Sequence, residues 1–137
     1  MKIQPYLFFN GRCEEAIRFY QEVLGAEITA LMRYKESPDP AMTPPGAEDK
    51  IMHASVRIGD TELMASDGDC SGKPSFAGFS VALTVAGAAE AERVFNALAH
   101  GGQVQMPPAE TFFSPRFGML ADRYGLNWMI MAEMPQQ

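Results

Sequence analysis

Ala16-Ile17-Arg18-Phe19-Tyr20-Gln21-Glu22-Val23-Leu24-Gly25 reads as an amphipathic helix that stops at a glycine. Ala91-Glu92-Arg93-Val94-Phe95-Asn96-Ala97-Leu98, ahead of Gly101-Gly102, reads the same way. Each run follows an apolar, strand-like segment. Each half closes on a hairpin, at Gly59-Asp60-Thr61-Glu62-Leu63-Met64-Ala65 and at Gly125-Leu126-Asn127-Trp128-Met129-Ile130-Met131-Ala132. A strand–helix–strand–strand–strand unit used twice predicts an α+β fold: paired βαβββ modules forming curved mixed sheets around a cavity, with the helices outside. The chain is read as a single domain, with module one over 1–67, a connector over 68–75 and module two over 76–137.

Working outward, strand one is expected over Ile3 to Phe9, with Ile3, Pro5, Leu7 and Phe9 on one face and Gln4, Tyr6, Phe8 and Asn10 on the other. Asn10-Gly11 opens the first helix, Cys13 to Leu24, whose buried stripe is Cys13, Ala16, Ile17, Tyr20 and Leu24. Strand two covers Glu27 to Tyr34. Lys35 to Lys50 holds four prolines, Pro38, Pro40, Pro44 and Pro45, and reads as a long surface loop. Strand three (Ile51 to Ile58) sets Met52, Ala54, Val56 and Ile58 against His53, Ser55 and Arg57; strand four covers Thr61 to Ser66.

In the second half, strand five runs from Phe76 to Val85 and alternates Phe79, Val81, Leu83 and Val85 with the small Gly78, Ser80, Ala82 and Thr84. The second helix spans Ala88 to His100. Strand six (Gln103 to Met106) is expected to end at Pro107-Pro108. Strand seven (Phe112 to Ala121) is interrupted by Pro115 and Gly118, and strand eight covers Asn127 to Glu133.

The 137 residues are 47% hydrophobic, enough for an ordinary core, and the net charge is −6. Eleven scattered basic residues against seventeen acidic ones argue against a nucleic-acid or anionic-membrane partner, which needs clustered Lys and Arg. No apolar stretch has the length to span a bilayer. The N-terminus does not read as a signal peptide. Two cysteines, Cys13 and Cys70, make no disulfide framework and no CxxC pair, so free thiols and a cytoplasmic location are expected.

By alternation, the residues facing the expected cavity are Tyr6, Phe8, His53, Ser55, Arg57, Glu62, Ser80, Thr84 and Met129, with Glu110 and Arg116 near its rim. His53 is either a general base or ligand donor, since its charge changes near neutral pH, or a structural histidine bonded to a neighbouring strand. Glu62 pairs with Arg57 across the Gly59-Asp60 hairpin on its structural reading. Arg57 and Arg116 either hold an anion or balance Glu62 and Glu110. Met129 is core or lines an adaptable apolar pocket. No Ser, Cys and His cluster has the context of a nucleophilic triad. No glycine-rich loop joins a strand to a helix N-terminus as nucleotide-binding motifs require, since Gly101-Gly102 ends a helix and precedes a strand.

The arrangement resembles the vicinal-oxygen-chelate superfamily (glyoxalase I, bleomycin-resistance protein, extradiol dioxygenases), and within it the PhnB-like, demethylubiquinone methyltransferase-like branch. The residues that carry the resemblance run in order along nearly the whole chain. In the first half they are Pro5-Tyr6-Leu7-Phe8-Phe9-Asn10-Gly11, Glu14-Glu15-Ala16-Ile17-Arg18-Phe19-Tyr20, Leu24-Gly25-Ala26-Glu27, His53-Ala54-Ser55-Val56-Arg57-Ile58 and Leu63-Met64-Ala65-Ser66-Asp67. In the second they are Glu110-Thr111-Phe112-Phe113, Phe117-Gly118 and Asp122-Arg123-Tyr124-Gly125-Leu126-Asn127-Trp128-Met129-Ile130.

The resemblance implies a homodimer and, in the superfamily at large, a divalent metal held by strands one, four, five and eight. Carried over, those positions fall on Gln4 or Pro5, Glu62, Ser80 or Gly78, and Met129. One carboxylate among four is a poor donor set, so no cofactor is expected. The first reading is therefore a protein that binds a small, partly apolar molecule in the cavity without the usual metal. The alternative is a metal-dependent lyase, isomerase or dioxygenase-like enzyme with an atypical site at His53, Glu62 and Glu110. A protein–protein interaction module without a pocket is the third.

Overall fold

The computed structural model describes residues 1–135; positions 136 and 137, the end of module two, lie outside the described residues. The chain divides into two compact units, Met1–Ser75 and Phe76–Gln137. The first contains β1 (Tyr6–Phe8), α1 (Cys13–Leu24), β2 (Glu27–Arg33), β3 (Ile51–Ile58) and β4 (Thr61–Ser66). The second contains β5 (Val81–Val85), α2 (Ala88–Ala99), β6 (Gln103–Ala109), β7 (Phe117–Ala121) and β8 (Asn127–Ala132).

The sheets have the same topology, β1-β4-β3-β2 and β5-β8-β7-β6. The first strand of each unit lies parallel to the last and the other pairings are antiparallel, so both sheets are mixed and open. The expected α+β architecture of paired βαβββ modules is present.

Each helix covers one face of its own sheet. On α1, Cys13, Ala16, Ile17 and Tyr20 are buried, as the spacing predicts, and Phe19 joins them, whereas Leu24, expected in the same stripe, is only half-buried in the last turn; Leu7, Ala54, Val56, Leu63 and Ala65 are buried on the strands of that unit, and Phe9 just after β1. Gly25 closes α1 in the left-handed conformation, with φ 67°. On α2, Ala91, Val94, Phe95 and Leu98 are buried, as are Leu120, Trp128 and Ile130 on β7 and β8. Gly118 of β7 makes room for the helix: a Cβ there would lie 2.6 Å from Cε2 of Phe95.

Several boundaries differ from expectation. β1 begins at Tyr6, because Pro5 has no N–H for the ladder and Ile3 stands 91% exposed. β6 does not stop at Pro107-Pro108 but continues to Ala109. It lies at the sheet edge, and its pairing with β7 is irregular between Met106 and Ala109, the stretch that holds both prolines, so neither missing N–H breaks a regular ladder. β5 starts at Val81 and β7 at Phe117. Before β7, Thr111 to Ser114 forms a turn in which the Thr111 hydroxyl accepts from the Ser114 N–H at 3.0 Å. The loop after β2 carries two short 3-10 turns, Tyr34–Glu36 and Pro40–Met42, and its far end is tied back by Tyr34 N donating to Lys50 O and Lys35 N to Glu48 O, each 3.0 Å.

Candidate functional site

The face of the first sheet away from α1 gathers six of the residues singled out in the sequence. Register places them in three rows. Arg57 lies between Glu27 of β2 and Glu62 of β4. Ser55 lies between Ala30 and Met64, with Tyr6 beyond Met64. His53 pairs with Met32, and Phe8 with Ser66.

Two opposite effects shape this face. Leu7 and Phe9 turn inward and are 3% and 0% exposed, whereas the alternating Tyr6 and Phe8 are 39% and 51% exposed. Aromatic side chains left that open are costly in water unless something covers them. The rings form a continuous group: the centroids of Tyr6 and Phe8 are 5.1 Å apart, and those of Tyr6 and His53 5.7 Å, both tilted. The second effect is polar. The Tyr6 hydroxyl meets Nδ1 of His53 at 3.0 Å, and Nε2 of the same ring meets Oγ of Ser55 at 3.4 Å. The Tyr6 hydroxyl ionises above its ordinary value, chiefly through partial burial, with Cys13 adding to the rise and the Ser66 hydroxyl opposing it. Tyr6 is thus a neutral donor at physiological pH.

The charges on the face are arranged differently from expectation. Arg57 forms its ion pair with Glu27 of β2 rather than with Glu62 across the β3–β4 hairpin. Both glutamates are its register neighbours, and alternation along one strand does not choose between them. Glu62 takes no ion pair among the described residues, and its backbone carbonyl accepts from Gln4 Nε2 at 3.4 Å.

In the second unit, Met129 lies on the open face of its sheet in a row that reads Ala82, Met129, Met119, Met106 across four strands. The next row holds Thr84, Met131 and Phe117. The other three candidates are not on that face. Ser80 precedes β5, and Glu110 is exposed just after β6. Arg116 turns to α2, its guanidinium 3.9 Å from Glu92 rather than beside Glu110, and its buried Nε has no hydrogen-bond partner among the described residues. The sequence pattern gives no role to Met32, Met64, Met106 or Met119, and reads Met131 with Trp128 and Met129 as core of the last strand. They reach these faces through strand pairing, which no single strand's pattern contains.

Hollows also lie elsewhere among the described residues. One of about 560 Å3 is bordered by Glu14, Glu15, Arg18, Arg33, Asp49, Lys50 and Asp67 at the start of α1. Its charges are already satisfied. Arg33 grips both oxygens of Glu14 at 3.1 and 2.8 Å, Lys35 bonds Asp49 at 2.9 Å, and Lys50 Nζ donates to Gly11 O at 2.8 Å. Asp67 is spent as a cap: Oδ1 accepts from Gly11 N and Cys13 N at 2.9 and 2.7 Å, and Oδ2 from Ile51 N at 2.6 Å. Another, of about 430 Å3, is bordered by Gly87, Pro115, Glu133 and Met134. Size alone does not make either a binding site, and neither borders the exposed rings.

The donors do not fit the divalent-metal site of the wider superfamily. Among the described residues no group of three or more His, Cys, Asp or Glu side chains is placed to hold an ion. Both ring nitrogens of His53 are engaged by Tyr6 and Ser55. Of the atypical set, His53 and Glu62 belong to the first unit and the exposed Glu110 to the second. No helix of the described residues is long and apolar enough to cross a membrane.

The chain is 38% identical over 138 residues to Protein YjdN of Escherichia coli, covering 95% of this chain and 94% of that protein. It superposes on the crystal structure of protein PA1353 from Pseudomonas aeruginosa with a TM-score of 0.86 and 43% identity, over 98% of this chain and 99% of that one. A putative 3-demethylubiquinone-9 3-methyltransferase, the PhnB protein from Bacillus cereus, gives a TM-score of 0.81 at 32% identity, over 96% and 99%. A glyoxalase-related enzyme from Fulvimarina pelagi, at 17% identity and a TM-score of 0.62, shares the fold. The model of the family described as 3-demethylubiquinone-9 3-methyltransferase matches residues 1–131, and the chain belongs to that PhnB-like, glyoxalase-fold family.

Proposed function

We propose that this protein binds a small, partly apolar molecule on the open sheet faces of its units, without the divalent metal of the wider superfamily. The observation that carries the reading is the ring group of the exposed Phe8 and Tyr6 with the half-buried His53, and the Tyr6–His53–Ser55 chain built into it. Flat apolar surface beside a few fixed polar groups is the usual composition of a small-molecule site. The methionine row on the second sheet supports it, since unbranched thioethers repack around varied ligands. Neither helix is opened by a glycine-rich nucleotide loop, α1 following Asn10-Gly11-Arg12 and α2 following Ala86-Gly87.

The reading includes one domain spanning the chain, a homodimer, and a cytoplasmic location supported by two cysteines that remain free thiols. A thermal-shift screen of neutral apolar and aromatic compounds tests the binding claim. Binders should raise the melting midpoint by mass action, and Tyr6→Ala/Phe8→Ala should abolish the rise. A screen without binders defeats the proposal. A midpoint raised specifically by Zn2+, Ni2+, Mn2+ or Fe2+ in chelator-stripped protein would defeat its metal-free part. Light scattering checks the dimer.

A further inference from the structure

We propose that the open face of the first sheet takes a flat conjugated ring bearing an uncharged oxygen acceptor, of which an aromatic ketone is the simplest example. This rests on the small-molecule reading above and narrows it. The ring requirement comes from Phe8, Tyr6 and His53, whose centroids are spaced 5.1 and 5.7 Å apart, with Phe8 and Tyr6 open to solvent and His53 half-buried. Such a surface matches a planar partner in offset or edge contact.

The acceptor requirement comes from counting protons. With His53 neutral, Tyr6, His53 and Ser55 carry one exchangeable proton each, and two of the three fill the links within the chain. The third points out of one end. At the Ser55 end it would be a donor on a residue only 7% exposed, whose Oγ meets only His53 among the described residues. At the Tyr6 end it lies on a residue 39% exposed. The neighbouring Ser66 hydroxyl is already engaged, donating to Ile51 O at 3.4 Å and accepting from Gly68 N at 3.0 Å. An unmade buried donor is penalised, so the chain settles with Ser55 donating to Nε2, Nδ1–H donating to the Tyr6 oxygen, and the Tyr6 O–H directed outward. The site therefore offers a donor and selects an acceptor. It does not select an anion, because Arg57 is held by Glu27 and the Glu62 carboxylate adds negative charge to the same face.

Four matched probes test this by chemical-shift titration of the full chain, read at the Tyr6, Phe8 and His53 rings: acetophenone, ethylbenzene, cyclohexyl methyl ketone and benzoate. Acetophenone should bind roughly three- to tenfold more tightly than ethylbenzene, the worth of one neutral hydrogen bond, and more tightly than the other two. Tyr6→Phe keeps the ring and should erase the difference between acetophenone and ethylbenzene while leaving ethylbenzene unchanged. Phe8→Leu should weaken both ring probes alike, which supplies a second variant if the first does not fold. Equal binding of acetophenone and ethylbenzene, or a difference that survives Tyr6→Phe, overturns the acceptor claim. If no ring probe perturbs this face while the aliphatic detergent octyl glucoside does, the ring claim falls and the broader reading stands. If nothing perturbs it, both fall.

Discussion

Asp67 offers the sharpest test of how this fold holds its binding face in place. It is 1% exposed and accepts three backbone hydrogen bonds, from Gly11 and Cys13 at the start of α1 and from Ile51 at the start of β3. Its own N–H donates to Ile51 O at 2.8 Å. One carboxylate thus caps the helix and pins it to the strands whose other face carries Tyr6, Phe8 and His53. Asp67→Ala leaves Cys13 N–H and Ile51 N–H buried without acceptors, while the half-buried Gly11 N–H is more readily rehydrated. At about 1–3 kcal/mol for each stranded donor, the expected loss is about 2–6 kcal/mol, a large share of the 5–15 kcal/mol typical of a domain. Asp67→Asn keeps one acceptor oxygen and turns an amide against an N–H, so it should fall between wild type and alanine. Urea titration with linear extrapolation measures both losses, and amide exchange at Cys13 and Ile51 localises them. A loss under about 1 kcal/mol for Asp67→Ala, or exchange at those amides unchanged, would refute the argument.

Three further outcomes follow from the packing and charges. Arg33 grips Glu14 and holds its carboxyl below the usual range, through the hydrogen bonds first; a lowered folded value means the pair stabilises at neutral pH and that contribution disappears as pH falls through the folded value. Both side chains are partly exposed, so Arg33→Ala should cost under about 1 kcal/mol, and the Glu14 carboxyl resonance should titrate higher in the variant. Gly118→Ala pushes a methyl into the Phe95 ring and to 3.1 Å from Met106 O, which should cost about 1–3 kcal/mol and be partly recovered by adding Phe95→Leu; a neutral Gly118→Ala would contradict the close approach of α2 to β7. Burial pushes the Cys13 thiol far above its ordinary value and the Cys70 thiol up less strongly, so mass spectrometry after iodoacetamide should find native protein labelled at Cys70 first and Cys13 labelled only after unfolding.

Much of this was legible in the chain because it is local. The 3.6-residue spacing of Cys13, Ala16, Ile17 and Tyr20 marks the inner stripe of α1 wherever that helix packs. Leu7 and Phe9 against Tyr6 and Phe8 is a period-two pattern, and it sorts buried from exposed side chains without knowledge of the neighbouring strand. The repeat of these patterns after Ser75 was enough for the paired-module fold.

What escaped depended on partners far away in sequence. Arg57 has glutamates on both flanking strands, and only the register of β2 against β3 and the resulting side-chain reach decide for Glu27. Pro107 and Pro108 fit inside a strand because β6 is an edge whose pairing with β7 is irregular between Met106 and Ala109. Asp67 caps a helix that begins 54 residues earlier, and Arg116 turns to Glu92 rather than Glu110. Alternation and helical spacing are properties of a single backbone, so the amino-acid order alone determined the elements and their faces. Which side chains meet across those faces, including the contact of Tyr6 with His53, was decided by tertiary pairing, because hydrogen bonds and ion pairs form over a few ångströms of space regardless of distance along the chain.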